Sequence, residues 1–302
     1  MSATVMGVPR VSPDAAKMRR HRLWILSGAV VAIVVTMGLF VNGAGYYIKP
    51  QAERILSPRH GHLKPGGTVG IGLGIAGTAL LLLIYLYPLR KRWKWLSKKG
   101  KTKRWLDYHI LMGLAAPAII TLHSAFKFHG VAGMAYWSMM AVVISGIVGR
   151  YLYNKIPRRL GEAELSLDEA EKMRAALAAQ IAEQNVLTRE ELEPLLALPA
   201  REEVQRMPLL KALAVIIALD ARRAWLIWRV RRHAGRHVKN SAELRQAIAL
   251  ARRQAALSKD VLFLARIKQI FRMWHVVHRP FSYSLAVLAA MHILVVIFLG
   301  YF

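Results

Sequence analysis

The chain has 302 residues, of which 55% are hydrophobic, with a mean hydropathy of +0.30 and a formal charge of +27. It contains no cysteine, which excludes a Cys-ligated iron–sulfur cluster, a disulfide and covalent haem attachment through Cys-x-x-Cys-His. The charge comes with no nucleic-acid-binding motif, so stop-transfer segments and contacts to anionic lipid account for it better than nucleic acid does.

The apolar residues gather in five blocks, roughly 23–47, 68–89, 108–128, 131–153 and 280–302. All are long enough to cross a bilayer rather than to fill a soluble core. Arg19, Arg20 and Arg22 precede the first block as they would in a secretory signal. Its apolar run is too long for a signal h-region, however, and no small-residue cleavage site follows, so it reads as an uncleaved anchor. The expected fold is an all-α membrane protein: a five-span transmembrane helical bundle with a helical cytoplasmic insertion between spans 4 and 5. Its parts are an N-terminal tail (1–22), spans 1–4 (23–153), the insertion (154–279) and span 5 (280–302).

Basic residues set the expected orientation. Nine Lys/Arg fall between Arg90 and Asp107, against four between Lys49 and Gly67; the N-terminal tail has five, and the turn after span 3 has only Lys127. The positive-inside rule then puts the N-terminus, the Arg90–Asp107 loop and the insertion in the cytoplasm, and Phe302 at the outer face. A bacterial cytoplasmic membrane is the expected location.

Span 2 contains Gly72-Leu73-Gly74-Ile75-Ala76-Gly77, formally a dinucleotide fingerprint. That motif needs a preceding strand, a following helix and an acid about twenty residues on. Inside an apolar span it reads as close helix packing through small residues. In the insertion, Ser166-Leu167-Asp168-Glu169 and Thr188-Arg189-Glu190-Glu191 are capping boxes that open helices near 167–184 and 189–198. Eleven of the seventeen acids lie between Glu162 and Glu203, a solvated acidic lobe or a dock for a basic partner. The apolar stretch 209–219 is too short to span and is followed by arginines interleaved with Trp225 and Trp228. It reads either as a helix lying in the membrane interface or as one packed into a small soluble domain. A further helix, about 241–274, leads into span 5.

The most specific signal is a repeated spacing. His109 and His123 stand fourteen residues apart on span 3, and His278 and His292 fourteen apart on span 5. Fourteen residues make almost four helical turns, so both members of a pair face one way, about 21 Å apart along the axis. In the expected topology spans 3 and 5 are parallel, which puts His109 at the depth of His278 and His123 at the depth of His292. Two imidazoles at each of two levels suit axial ligation of two non-covalent haems b, and ionisable residues within a span are functional candidates by default. Gly113, Ala115 and Ala116 on span 3 and Ala286, Ala289 and Ala290 on span 5 leave room for a flat macrocycle, or serve ordinary helix packing. Lys103, Arg104 and Arg279 could pair with propionates or act as topogenic anchors. His275, one turn before His278, is the rival ligand; His60, His62 and His129 read as outer-surface residues, and His233 with His237 is too small a set for a zinc site.

The pattern resembles the di-haem b-type membrane cytochromes, especially the ferric-reductase-like transmembrane domain shared with NADPH oxidases, whose third and fifth spans carry such histidine pairs. The resemblance covers the membrane part alone and leaves the insertion unmatched. It implies two haems held by His109, His123, His278 and His292 and transmembrane electron transfer, whereas the flavin and nicotinamide module of the family's oxidases has no counterpart in the sequence. With no flavin, cluster or nucleotide site, the chain is expected to act as a subunit with no catalytic residue of its own. Donor and acceptor would be a cytoplasmic flavin or iron–sulfur subunit, a quinone, or an outer-face redox protein. Other readings are a metal-ion transporter, for which no carboxylate lies inside a span core, and a membrane scaffold recruiting a complex.

Overall fold

The computed structural model describes residues 13–155, 197–234 and 241–300. Among these residues every regular element is a helix. Five helical stretches are long and apolar enough to cross a membrane: Ala16–Tyr47, His60–Arg92, Thr102–His123, Gly130–Lys155 and Leu264–Phe298. The chain is an integral membrane protein with an all-α fold and a helical segment between spans 4 and 5. It divides into two compact units, Met1–Gly146 with Arg279–Phe302, and Ile147–His278.

In the first unit, α1 (Pro13–Tyr47) and the short α2 (His60–Leu63) lead to α3 (Thr68–Ile84) and α4 (Leu86–Arg92), which together make span 2. The break at Tyr85 has a covalent cause. Pro88 has no N–H, so the Ile84 carbonyl loses the donor that residue 88 would supply in an unbroken helix. After α5 (Lys94–Ser97) comes α6 (Thr102–His123), span 3, which begins and ends several residues earlier than the apolar block suggests. The early end follows from Ser124-Ala125-Phe126: Ala125 and Phe126 turn left-handed (φ 46° and 60°), and Phe126 N–H closes on the Thr121 carbonyl at 3.3 Å. His123 is therefore the last residue of its helix.

Glycines let α3 and α6 come together. A Cβ on Gly77 would run into Ile120, and one on Gly74 would stand 2.7 Å from His123 Cε1. The dinucleotide-like stretch of span 2 is thus a packing surface, as expected. A Cβ on Gly28 would likewise stand 2.9 Å from Leu111, where α1 meets α6. Buried Tyr46, Tyr47, Leu73, Leu122 and Ala125 form the core at the His123 end.

The second unit takes in the end of α7 (Gly130–Lys155), α8 (Arg201–Arg206), α9 (Leu209–Ala234), α10 (Ser241–Leu262) and the start of α11 (Leu264–Phe298). Its core gathers Leu152, Val204, Met207, Ala212, Ile216, Phe263 and Ile267. Ala212 and Ile216, one turn apart, put one face of α9 into that core, so this stretch is part of a small packed domain, while Leu210, Ile217, Trp225 and Trp228 stay exposed on the other. The expected continuous helix from 241 is divided at Phe263, whose side chain is fully buried. The expected helices near 167–184 and 189–198, and the acidic lobe before residue 197, lie outside the described residues.

Candidate functional site: histidines on spans 3 and 5

A carbonyl oxygen can only accept a hydrogen bond, and this settles two histidine tautomers. His123 Nδ1 lies 2.7 Å from the Gly70 carbonyl, and His109 Nδ1 lies 3.0 Å from the Ile84 carbonyl. Both Nδ1 atoms must therefore carry the proton, which leaves the Nε2 lone pair of each ring available. Metal-ligating histidines use the same device, fixing tautomer and ring orientation through the nitrogen that does not bind the metal.

The two carbonyls are themselves fourteen residues apart on span 2, matching the histidines on antiparallel span 3. Each becomes accessible in its own way. Gly74, without a side chain, lets the His123 ring reach Gly70 one turn earlier. Pro88 removes the helical donor from Ile84, so His109 satisfies a carbonyl that would otherwise be an orphan inside an apolar span.

The structure brings His123 and His292 together. Their ring centroids are 6.4 Å apart and the rings are inclined at 73°. Two imidazoles on opposite sides of one metal, at a bond length of about 2.0 Å, would have centroids about 6.3 Å apart. Rotation about a metal–nitrogen axis is free, so the inclination fits equally well. Near the middle of α6, a Cβ on Gly113 would meet nothing within 4 Å, so open space borders the helix between its two histidines. On these observations the separation of the two rings leaves room for a metal between them.

The other two histidines are described within their own units. His109 is half-buried beside Tyr87, with centroids 5.3 Å apart. His278 is half-buried and stacked on Trp274 at 4.9 Å. His275 donates from Nδ1 to the Phe271 carbonyl of its own helix at 3.0 Å and packs edge-on against Phe271 and Trp274. His60 Nδ1 is 3.2 Å from the hydroxyl of fully buried Tyr46, His62 Nδ1 is 3.0 Å from Thr68 Oγ1, and His129 is exposed. The side chains of His233 and His237 lie outside the described residues. Lys103 and Arg104 are half-buried at the start of α6, and Arg279 is exposed on α11. Among the described residues no group of three or more His, Asp or Glu could hold a metal, so a four-ligand protein cage is not the arrangement found there.

Three features escape the sequence. Arg54, buried to 6% exposure, donates to the carbonyls of Lys49, Tyr47 and Ala125 at 2.8, 2.6 and 2.5 Å. It thereby holds the left-handed turn that ends α6 just after His123, a backbone that costs about 1–2 kcal/mol per residue outside glycine. His21 and Asp107 pair at 3.1 Å between α1 and α6. In the second unit, Asp220 receives Tyr151 and Lys155 at 2.6 Å each and also pairs with fully buried Lys259. Burial works to raise the Asp220 pKa, but hydrogen bonds from Lys155, Lys259 and Tyr151 overcome it and hold the carboxyl at about 2. Burial pulls Lys259 down and pushes Asp260 up. A run of single Lys and Asp residues carries no period that would announce such a cluster.

Compared with known protein families, with characterised proteins and with solved structures, the chain gives no match.

Proposed function

We propose that the chain is a di-haem b-type membrane cytochrome that carries electrons across the bilayer. The observation that carries this reading is the His123–His292 pair: centroids 6.4 Å apart, with His123 Nδ1 committed to the Gly70 carbonyl so that its Nε2 is available. The second haem rests on spacing, since His109 and His278 each stand fourteen residues before a member of that pair, and on the matching Nδ1 bond from His109 to Ile84. Bound between two histidines, a haem iron is coordinatively saturated and supplies one-electron, outer-sphere transfer rather than oxygen binding. The chain's own part is to hold the rings, fix their tautomers and exclude water.

With this assignment the chain has no catalytic residue of its own and acts as an electron-transfer subunit. On this reading the basic loop from Arg90 to Asp107 faces the cytoplasm, in keeping with the positive-inside rule, and the membrane is a bacterial cytoplasmic one. A flavin or iron–sulfur subunit there, or a quinone in the membrane, would exchange electrons with a redox protein at the outer face.

The test is a reduced-minus-oxidised spectrum of the purified chain with a pyridine haemochrome assay after acid–acetone extraction. Close to two extractable haems b per chain is the expected result. A folded, colourless preparation ends this reading in favour of a non-redox membrane protein. Haem reduction by NADH with the isolated chain would end the subunit assignment alone.

A further inference from the structure

We infer that the exposed face of α9 is a docking surface for anionic phospholipid headgroups. The helix has two unlike faces. One carries Ala212, Ile216 and Arg223, all buried, together with Asp220, the only acid on the helix, which is turned inward to Tyr151, Lys155 and Lys259. The other shows Leu210 at 83% exposure, Ile217 at 48%, and Trp225 and Trp228 at 53% each. At 3.6 residues per turn these four fall on a single stripe. Lys211, Arg222, Arg229 and Arg232 flank it, all exposed.

Position within the second unit decides what covers this face. Asp220 is bonded to Tyr151 and Lys155, the last turn of α7, and α7 is one of the five membrane-crossing helices. The middle of α9 is therefore tied to the point where span 4 leaves the bilayer. Apolar and indole side chains at that level meet the headgroup–acyl boundary.

The charge pattern selects the lipid. Arg229 lies over the Trp225 ring at 5.6 Å and Arg232 over Trp228 at 4.8 Å. Each guanidinium is thus carried beside an indole, with its remaining N–H groups able to fork onto a phosphate. An exposed helix face with four cations and no carboxylate of its own complements an anionic headgroup better than a zwitterionic phosphocholine. This inference does not depend on the haem assignment.

The full chain is reconstituted in bilayers of equal phosphatidylglycerol and phosphatidylcholine, with bromine on the chains of one lipid or the other. The tryptophan emission of the W225F/W228F variant is subtracted from that of the unaltered chain, which isolates these two indoles. The expected result is at least twofold stronger quenching of the difference signal by brominated phosphatidylglycerol. That preference should vanish in R222Q/R229Q/R232Q and shrink in high salt. Equal quenching by both lipids would overturn headgroup selection. No quenching by either would overturn the docking surface itself and point to an acidic protein partner.

Discussion

The most connected buried polar groups of the two units are satisfied in different ways. In the first, imidazoles inside apolar helices lean on backbone carbonyls: His123 on Gly70, His109 on Ile84. In the second, Asp220 is matched by Lys155, Lys259 and Tyr151. A carboxylate already accepting from three protein donors is committed to those partners, and such clusters hold a fold together. A neutral imidazole whose Nδ1 is committed still offers Nε2, and among the described residues no protein donor reaches that atom in His123. What distinguishes a site from a structural cluster here is an unused acceptor, rather than the amount of charge buried.

That contrast breaks most readily at the histidine pair. Replacing His123 or His292 with Ala should lower the haem content from about two per chain to about one, because a single imidazole seldom retains a haem that two hold. Replacing His129, which is exposed, should leave the content unchanged. Pyridine haemochrome measurements on the three variants check this, and equal loss in all three would show that the effect is general misfolding.

Asp220→Asn should act on stability instead. Removing this partner leaves fully buried Lys259 with only the more distant Asp260 carboxylate at 3.8 Å, a loss approaching the roughly 3–5 kcal/mol of a broken buried pair. The sign with pH follows from the depressed carboxyl. Its stabilisation is complete above the unfolded value of about 3.9 and is lost as pH falls toward the folded value of about 2. Thermal unfolding of the unaltered chain should therefore weaken across that window, and the same titration on the Asn variant should be flatter. Protein stable to the same temperature in both forms would show that the cluster contributes nothing.

How much of this is legible in the sequence follows from periodicity. Five spans, their helical character and the insertion follow from apolar run length alone, because each side chain in lipid must be apolar whatever it packs against. The candidate histidines were legible through their spacing, since a helix converts fourteen residues into one face. The partners were not. Gly70 and Ile84 act through their backbones, which every residue possesses, so no residue type marks them. The Ile84 carbonyl could have been found from Pro88, whose missing N–H orphans it. Arg54 looks like any other cation of its loop, and only the fold shows it holding three carbonyls. Arg90 likewise counts toward a topogenic loop yet is buried, bonding the carbonyls of Ser97 and Gly100 at 2.8 Å.

Gly74→Val tests whether the approach of His123 to span 2 matters for function. Even a Cβ would stand 2.7 Å from the imidazole, so the ring must move and lose the Gly70 carbonyl. Disturbing an outer-shell partner of a metal ligand costs about 10–100-fold in affinity, so the haem proposed at His123 should be lost after that much less dilution, or at that much lower a concentration of competing apo-myoglobin. Gly72→Val, with open space around it, is the control. Similar retention in both variants would mean that the Gly70 bond is incidental.

Pro88→Ala makes the smallest and most pointed change, because it touches neither histidine. It returns an N–H to residue 88, which can then close on the Ile84 carbonyl as in an unbroken helix. A carbonyl has two lone pairs, so His109 is not expelled; its 3.0 Å bond becomes one of two on the same oxygen. Pro88 lies in the first turn of α4, where proline is tolerated, so little change in unfolding temperature is expected. The haem assigned to His109 and His278 should shift its midpoint potential, while the one assigned to His123 and His292 should not. A less basic imidazole donates less electron density to iron and favours the reduced state, so the shift should be upward. Equal shifts in both haems, or none in either, would separate the Ile84 carbonyl from the ligand role proposed for His109.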